Sequence, residues 1–313
     1  MRTAFIQTLN ELAARDPRVC LIVGDLGFSV IEEFAEKHPD QFVNAGVAEQ
    51  NMIGLAAGMA LTGKVVFTYS IGNFGTLRCL EQIRNDVCYH RANVKVVAVG
   101  GGLAYGNLGV THHASEDVAI LRSLPNMVVL SPGDPIEARF ATMAAVAYDG
   151  PCYLRLGKAG EPVVHQDEPA FELGRAIAMR KGTDVTLIAT GGMLATASSV
   201  AAALDAKGVS VRLLSMHTIK PLDREAVVEA ATQTKFVFTL EEHSVEGGLG
   251  GAVAEVMAEL EPGHAPLKRI GLRPEFNKVV GDQKYLKALH GLDEEGVMST
   301  IQQVTSRSFR LVG

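Results

Sequence analysis

Short, unbroken apolar runs alternate with helical patterns through the first half of the chain. Residues 19–25 (VCLIVGD), 64–69 (KVVFTY), 94–100 (VKVVAVG), 127–132 (MVVLSP) and 151–157 (PCYLRLG) are β-branched and lack period-two alternation. Strands buried on both faces have that character. Helical patterns at 2–15, 29–37, 49–62, 74–89, 115–123 and 134–147 lie between or beside them. The alternation predicts an α/β fold with a parallel sheet covered by helices on both sides.

The pattern lapses at 157–172, a polar stretch with two prolines, and then resumes. Strands are predicted at 184–190, 209–215 and 235–242, and helices at 192–208, ended by Gly208, and at 246–260. Two doubly wound domains are therefore expected, over 1–158 and 172–313, joined by a linker at 159–171. The glycine cluster EGGLGG (246–251) lacks the spacing and downstream acid of a dinucleotide site and predicts a tight strand-to-helix turn.

The composition narrows the function classes. A net charge of −6 with unclustered Lys and Arg leaves no electrostatic footprint for nucleic acid or a membrane surface. No apolar run approaches the length of a membrane span, and the opening segment reads as an amphipathic helix rather than a leader, which predicts a cytoplasmic protein. The four cysteines form no CxxC pair and are expected to be buried free thiols.

Candidate chemistry begins at GVAEQNMIGLAAGMA (46–60), which sets one acid, Glu49, at the mouth of a helix rich in Gly and Ala. An acid there also suits the helix dipole. It is followed by FTYSIGNFGTLRCLEQIRN (67–85) and GVTHHASEDVAILRSLPNM (109–127). Successive side chains diverge on regular structure, so His112 and His113 make a poor chelating pair. Ser115 is placed to cap the 115–123 helix, with Glu116 and Asp117 beside it. The glycine-rich GGGLAYGNLG (100–109) suits a loop folded against a ligand.

The order of these three segments resembles the pyrimidine-binding half of the transketolase family of thiamine diphosphate enzymes. TLEEHSVEGGLGGAVAEVM (239–257) resembles the family's C-terminal domain. The resemblance implies that Glu49 activates the cofactor through its pyrimidine ring, that Phe74 packs on that ring and that Asp25 lies near the thiazolium and diphosphate. Ile71 stands where a further aromatic is usual. Thr111 and His112 match a TH step that contacts reacting substrate oxygens, leaving His113 a structural neighbour. Arg2, Ser29 and Lys158 match positions that grip a sugar phosphate, with Lys158 replacing the usual arginine.

Two departures bear on the substrate. Gly100 stands in place of a phosphate-contacting histidine, and Leu108 in place of an aspartate that reads a sugar hydroxyl. A modified sugar would suit an apolar Leu108. The chain also lacks the Gly-Asp-Gly loop that holds the diphosphate and Mg2+, since GDL (24–26), GDP (133–135) and GDQ (281–283) do not fit it. The resemblance thus implies the C-terminal subunit of a split transketolase. An N-terminal partner subunit would supply most of the Mg2+ ligation, in a heterotetramer of two plus two. The reaction expected is transfer of a two-carbon ketol unit from a ketose or ketose phosphate to an aldose. The alternatives are the β subunit of a 2-oxoacid dehydrogenase and a non-catalytic scaffold.

Overall fold

A computed structural model describes the backbone of residues 1–310 and side chains through residue 306; the last three residues of the expected second domain lie outside the described residues. Strands β1 (Val19–Val23), β2 (Phe42–Asn44), β3 (Val65–Ile71), β4 (Val94–Val99), β5 (Val128–Leu130) and β6 (Cys152–Leu156) run parallel in one sheet. Every residue of β1, β4, β5 and β6 is buried, as the unbroken apolar runs require. Neighbouring side chains on β1 go to opposite cores. Leu21 and Val23 meet Phe5, Leu9 and Ala141, from helices Arg2–Ala13 and Pro135–Ala147. Ile22 meets Ala56, Ile83 and Leu121 on the other face. The four cysteines are buried and free.

The second half forms a five-stranded sheet from β7 (Ile177–Arg180), β8 (Val185–Ala189), β9 (Val211–Ser215), β11 (Phe236–Ser244) and β12 (Leu267–Leu272). Its order is β12-β11-β8-β9-β7, parallel except for the β7 edge. The glycine cluster is a strand-to-helix turn. The Glu241 carboxyl accepts the Leu249 and Gly250 N–H groups at 2.7 and 2.8 Å, so a side chain already fills the helix N-terminus.

One strand crosses between the halves. β10 (Thr218–Lys220) follows β9 in sequence yet pairs antiparallel with β5, completing a seven-stranded sheet of order β10-β5-β6-β4-β3-β1-β2. Lys220 Nζ locks the crossing by donating to the Arg122 and Leu124 carbonyls at 2.9 and 2.5 Å. Behind it lies a buried polar seam. Arg155 Nε donates to Asp117 at 2.7 Å, and Arg155 Nη2 donates to the Ala114 and Glu242 carbonyls at 2.7 and 3.0 Å. The Leu103 N–H donates to the Glu242 carboxylate at 2.7 Å.

Expected helices differ from the sequence reading at several points, and the one expected at 29–37 begins only at Glu32. Residues 74–89 are not one helix. They break into Gly72–Gly75, a 3-10 turn at Leu77–Cys79, a short turn at Leu80–Gln82 and a π-helix at Ile83–Tyr89. The Thr76 hydroxyl and Cys79 thiol bond the Gly72 and Phe74 carbonyls, taking acceptors a continuous helix would use. The helix expected from Ser115 starts at Asp117 and has no side-chain cap. The Ser115 carbonyl instead accepts the Ser244 N–H at 2.8 Å, drawing residue 115 into the seam.

His217 sits in this junction, stacked on Phe171 with ring centroids 3.9 Å apart and its carbonyl bonded to the Ser131 N–H. Burial pushes its pKa down from 6.5 to about 4. The unfolded chain therefore takes up a proton that the folded chain refuses. The stability His217 contributes is complete above pH 6.5 and is lost as pH falls toward 4, a span worth roughly 3 kcal/mol. Urea unfolding of His217→Gln should show a flatter pH dependence across that window, whereas curves parallel to wild type would assign the acid sensitivity elsewhere.

Candidate functional site

The residues singled out by sequence gather at the carboxyl ends of the parallel strands, where open α/β sheets place their ligands. Asp25 and Ser29 follow β1, Ile71 and Phe74 end and follow β3, the loop 100–112 follows β4, and Lys158 follows β6.

Glu49 opens helix Glu49–Leu61 and is 3% exposed. Its Oε2 accepts from Arg78 Nη1 at 2.9 Å. Among the described residues no hydrogen bond reaches Oε1. The Arg78 guanidinium also lies 4.8 Å from the centre of the Phe74 ring. Phe74 meets His112 edge-on at 5.0 Å, and His112 lies 6.2 Å from the Tyr105 ring. Lys158 Nζ stands 5.0 Å over the Tyr105 ring. A continuous wall thus runs from a buried acid through aromatic and imidazole rings to an exposed ammonium.

His112 Nδ1 and the Thr111 hydroxyl hydrogen-bond at 3.0 Å, which leaves Nε2 as the ring's outward group. His113 is buried, and its carbonyl accepts from the Asn73 side chain. Burial lowers its pKa, so it rests neutral behind the wall.

The expected anion cluster is gathered only in part. Lys158 stands over the Tyr105 ring face, and no hydrogen bond joins Arg2 to Lys158. Arg2 Nε is buried and has no partner among the described residues. Ser29 lies on the exposed loop after β1, its N–H donating to Glu32 at 2.7 Å, and no hydrogen bond joins it to Arg2 or Lys158. Asp25 on the same loop is paired with Asn44, whose Nδ2 donates to it at 3.0 Å. Asp25 and Ser29 both have positive φ, 53° and 64°, a conformation uncommon in non-glycine residues and frequent at binding sites. Ile71 is half-buried and adds an apolar surface three residues before Phe74.

Sequence reading missed Arg78 and Tyr105. Arg78 follows Phe74 by four residues in a stretch read as one amphipathic helix, and Tyr105 is the one aromatic in the glycine-rich loop. Both earn their place by tertiary contact. The outer face of the helix that Glu49 opens is apolar and small. Val47 is 75% exposed, Leu55 and Leu61 are also exposed, and nothing lies within 4 Å of a Cβ built on Gly54 or Gly58. Such a patch marks a macromolecular interface.

The site fits a pyrimidine ring. It offers a buried acid with one oxygen uncommitted to any protein partner, and the arginine that holds the other oxygen lies over the Phe74 ring. Among the described residues no cluster of three His, Cys, Asp or Glu side chains is placed to hold a metal ion, and no helix is long and apolar enough to cross a membrane.

Known proteins resemble this chain over most of its length. Residues 1–160 match the model of the transketolase pyrimidine binding domain, and residues 174–297 that of the transketolase C-terminal domain. An apulose-4-phosphate transketolase subunit of Phocaeicola vulgatus is 40% identical over 301 residues, covering 96% of this chain and 95% of that protein. The 6-deoxy-6-sulfo-D-fructose transketolase subunit SqwH of Clostridium sp. is 39% identical over 308 residues, covering 98% and 95%. A solved structure described as a split gene transketolase, inactive beta4 tetramer, superposes with a TM-score of 0.87 at 39% identity, covering 96% of each chain. Transketolase from Campylobacter jejuni shares the fold (TM-score 0.78, 17% identity), and this chain spans 46% of it.

Proposed function

The chain belongs to the transketolase family, and on that premise we propose that it is the C-terminal subunit of a split, thiamine diphosphate-dependent enzyme. The reaction is transfer of a two-carbon ketol unit from a ketose or ketose phosphate to an aldose. The observation that carries this reading is Glu49, a buried acid with one oxygen uncommitted, whose partner Arg78 lies over the Phe74 ring. A buried carboxyl without a use costs stability, which argues against a scaffold. No observation favours a 2-oxoacid dehydrogenase.

Thiamine diphosphate, when bound, supplies the carbon nucleophile that carries the two-carbon unit. Glu49 Oε1 shares a proton with the pyrimidine nitrogen, and Arg78 holds the other oxygen so that the carboxyl cannot rotate away. Phe74 and Ile71 line the ring slot. His112 Nε2 exchanges hydrogen bonds or a proton with the reacting sugar oxygens, its orientation fixed by Thr111. Arg2, Lys158 and Ser29 receive the sugar's charged end. Asp25 faces the diphosphate side. A partner N-terminal subunit covers the apolar patch at Val47, Leu55 and Leu61 and supplies the diphosphate and Mg2+ ligands, with two copies of each chain in the assembly. The exposed Leu108 favours a modified sugar, in line with the substrates named for the two subunit relatives. The linker lies at 159–171, and the enzyme works in the cytoplasm.

Titration of thiamine diphosphate and Mg2+, followed by near-UV circular dichroism, tests the reading. Binding and turnover are expected only when the diphosphate-binding subunit is mixed in. Turnover by this chain alone would refute the split-subunit reading.

A further inference from the structure

A second cleft, of about 270 Å³, opens where the two halves of the chain meet. Ser244 and Leu272, which end β11 and β12, line it, so it lies at the carboxyl ends of the second sheet. Open α/β sheets place ligands there, and the volume is at the small end of ligand sites. The first half contributes the loop around Val110–Glu116. Adjacent residues of that loop serve different places. His112 meets Phe74 edge-on, whereas His113 lines the cleft.

Two imidazoles in this cleft lack partners. His113 is 3% exposed, and its Nε2 is buried with no hydrogen bond among the described residues. His290, the residue that closes helix Gln283–Leu289, lines the same cleft, and its Nε2 is also buried and unpaired. Burial lowers the pKa of both rings, so both are neutral near pH 7 and each keeps one acceptor nitrogen. A buried acceptor left unpaired is costly, and a ligand N–H would satisfy it.

The charges of the cleft select the ligand's sign. Glu116 and Glu246 line it, and neither enters an ion pair among the described residues. Its one arginine, Arg273, is turned to Glu275 at 3.9 Å. Unpaired carboxylates beside neutral imidazoles repel an anion and attract a cation. Phe276 adds an exposed aromatic ring, a favourable neighbour for an ammonium group. A bare metal ion would need three such side chains converging, and among the described residues no three do so. The fitting ligand therefore has extent, with a cationic head and an apolar body.

We propose that this cleft binds a small primary amine. Its ammonium N–H groups donate to the free imidazole nitrogens of His113 and His290, Glu116 and Glu246 supply the counter-charge, and Leu103, Leu272 and Phe276 cover its carbon skeleton. The site is separate from the wall running from Glu49 to Lys158 and does not rest on the transketolase reading.

The test titrates the full chain with benzylamine, benzyl alcohol and benzoate, which share a ring and differ in the charge of the head, and follows the histidine ring protons by NMR. Benzylamine should bind saturably, at least tenfold more tightly than benzoate, and shift two histidine signals. One of those signals should vanish in His113→Gln and the other in His290→Gln. His290→Gln should weaken benzylamine about fivefold, the size of one neutral hydrogen bond, and Glu116→Gln should narrow the preference for amine over alcohol. His290 and Glu116 are only half-buried, so their variants keep the test sound if His113→Gln does not fold. No saturable binding of benzylamine, benzoate binding as tightly, or a benzylamine affinity unchanged in both His290→Gln and Glu116→Gln would overturn the proposal.

Discussion

Replacing Glu49 with glutamine is expected to lower turnover of the assembled enzyme by about a thousandfold, within the range of a positioned proton-transfer group. Glutamine keeps the volume and can still meet Arg78, so the fold is preserved. It cannot share a proton with the ring nitrogen, and that is the property at stake. The thermal midpoint should hold or rise, because a buried carboxyl is exchanged for a neutral amide. Cofactor titrated into the Glu49→Gln complex should also bind more weakly in the near-UV signal. A variant retaining more than a tenth of wild-type turnover would remove Glu49 from the chemistry, and the proposed function with it.

The second large effect concerns the seam. Asp117→Asn leaves the Arg155 guanidinium buried without its counter-charge, a change that costs about 3–5 kcal/mol in comparable buried pairs. Burial pushes the Asp117 carboxyl up, but the Arg155 charge and the Arg155 and Tyr153 hydrogen bonds outweigh it, holding the group below its ordinary value of 3.8. Because the folded value lies below the unfolded one, the stabilisation is present above pH 3.8 and fades only as pH drops further. Urea curves for wild type and Asp117→Asn should therefore stay far apart at pH 7 and approach one another only in that acid window. A gap below about 1 kcal/mol at pH 7 would mean the pair is better solvated than its burial indicates.

Much of the fold was legible because burial on both faces writes itself into composition. The runs at 19–25, 94–100 and 151–157 could be little else than central strands, and the structure buries every residue of the strands they form, Val19–Val23, Val94–Val99 and Cys152–Leu156. β10 was not legible, since three residues carry no period and their partner lies in the other half of the chain. The 74–89 segment misled because its apolar spacing is helical while Thr76 and Cys79 redirect its carbonyls. At the site, the order of motifs pointed to Glu49, Phe74 and His112, and the fold carries them to the ends of neighbouring strands. Arg78 and Tyr105 escaped notice because their roles exist only in contact, Arg78 between Glu49 and Phe74, Tyr105 between Lys158 and Gly100.

The borrowed strand β10 has a consequence for how the protein is made. The first sheet leaves the ribosome with β5 as a bare edge, and the three residues that cover it emerge only after the whole of β6, β7, β8 and β9. During that interval the nascent chain presents an unpaired apolar edge, the kind of surface on which chains cross-pair and aggregate. Truncation after residue 160 would make the interval permanent. The pyrimidine-binding half expressed alone should accordingly be prone to edge-to-edge association, although its sequence reads as a self-sufficient domain.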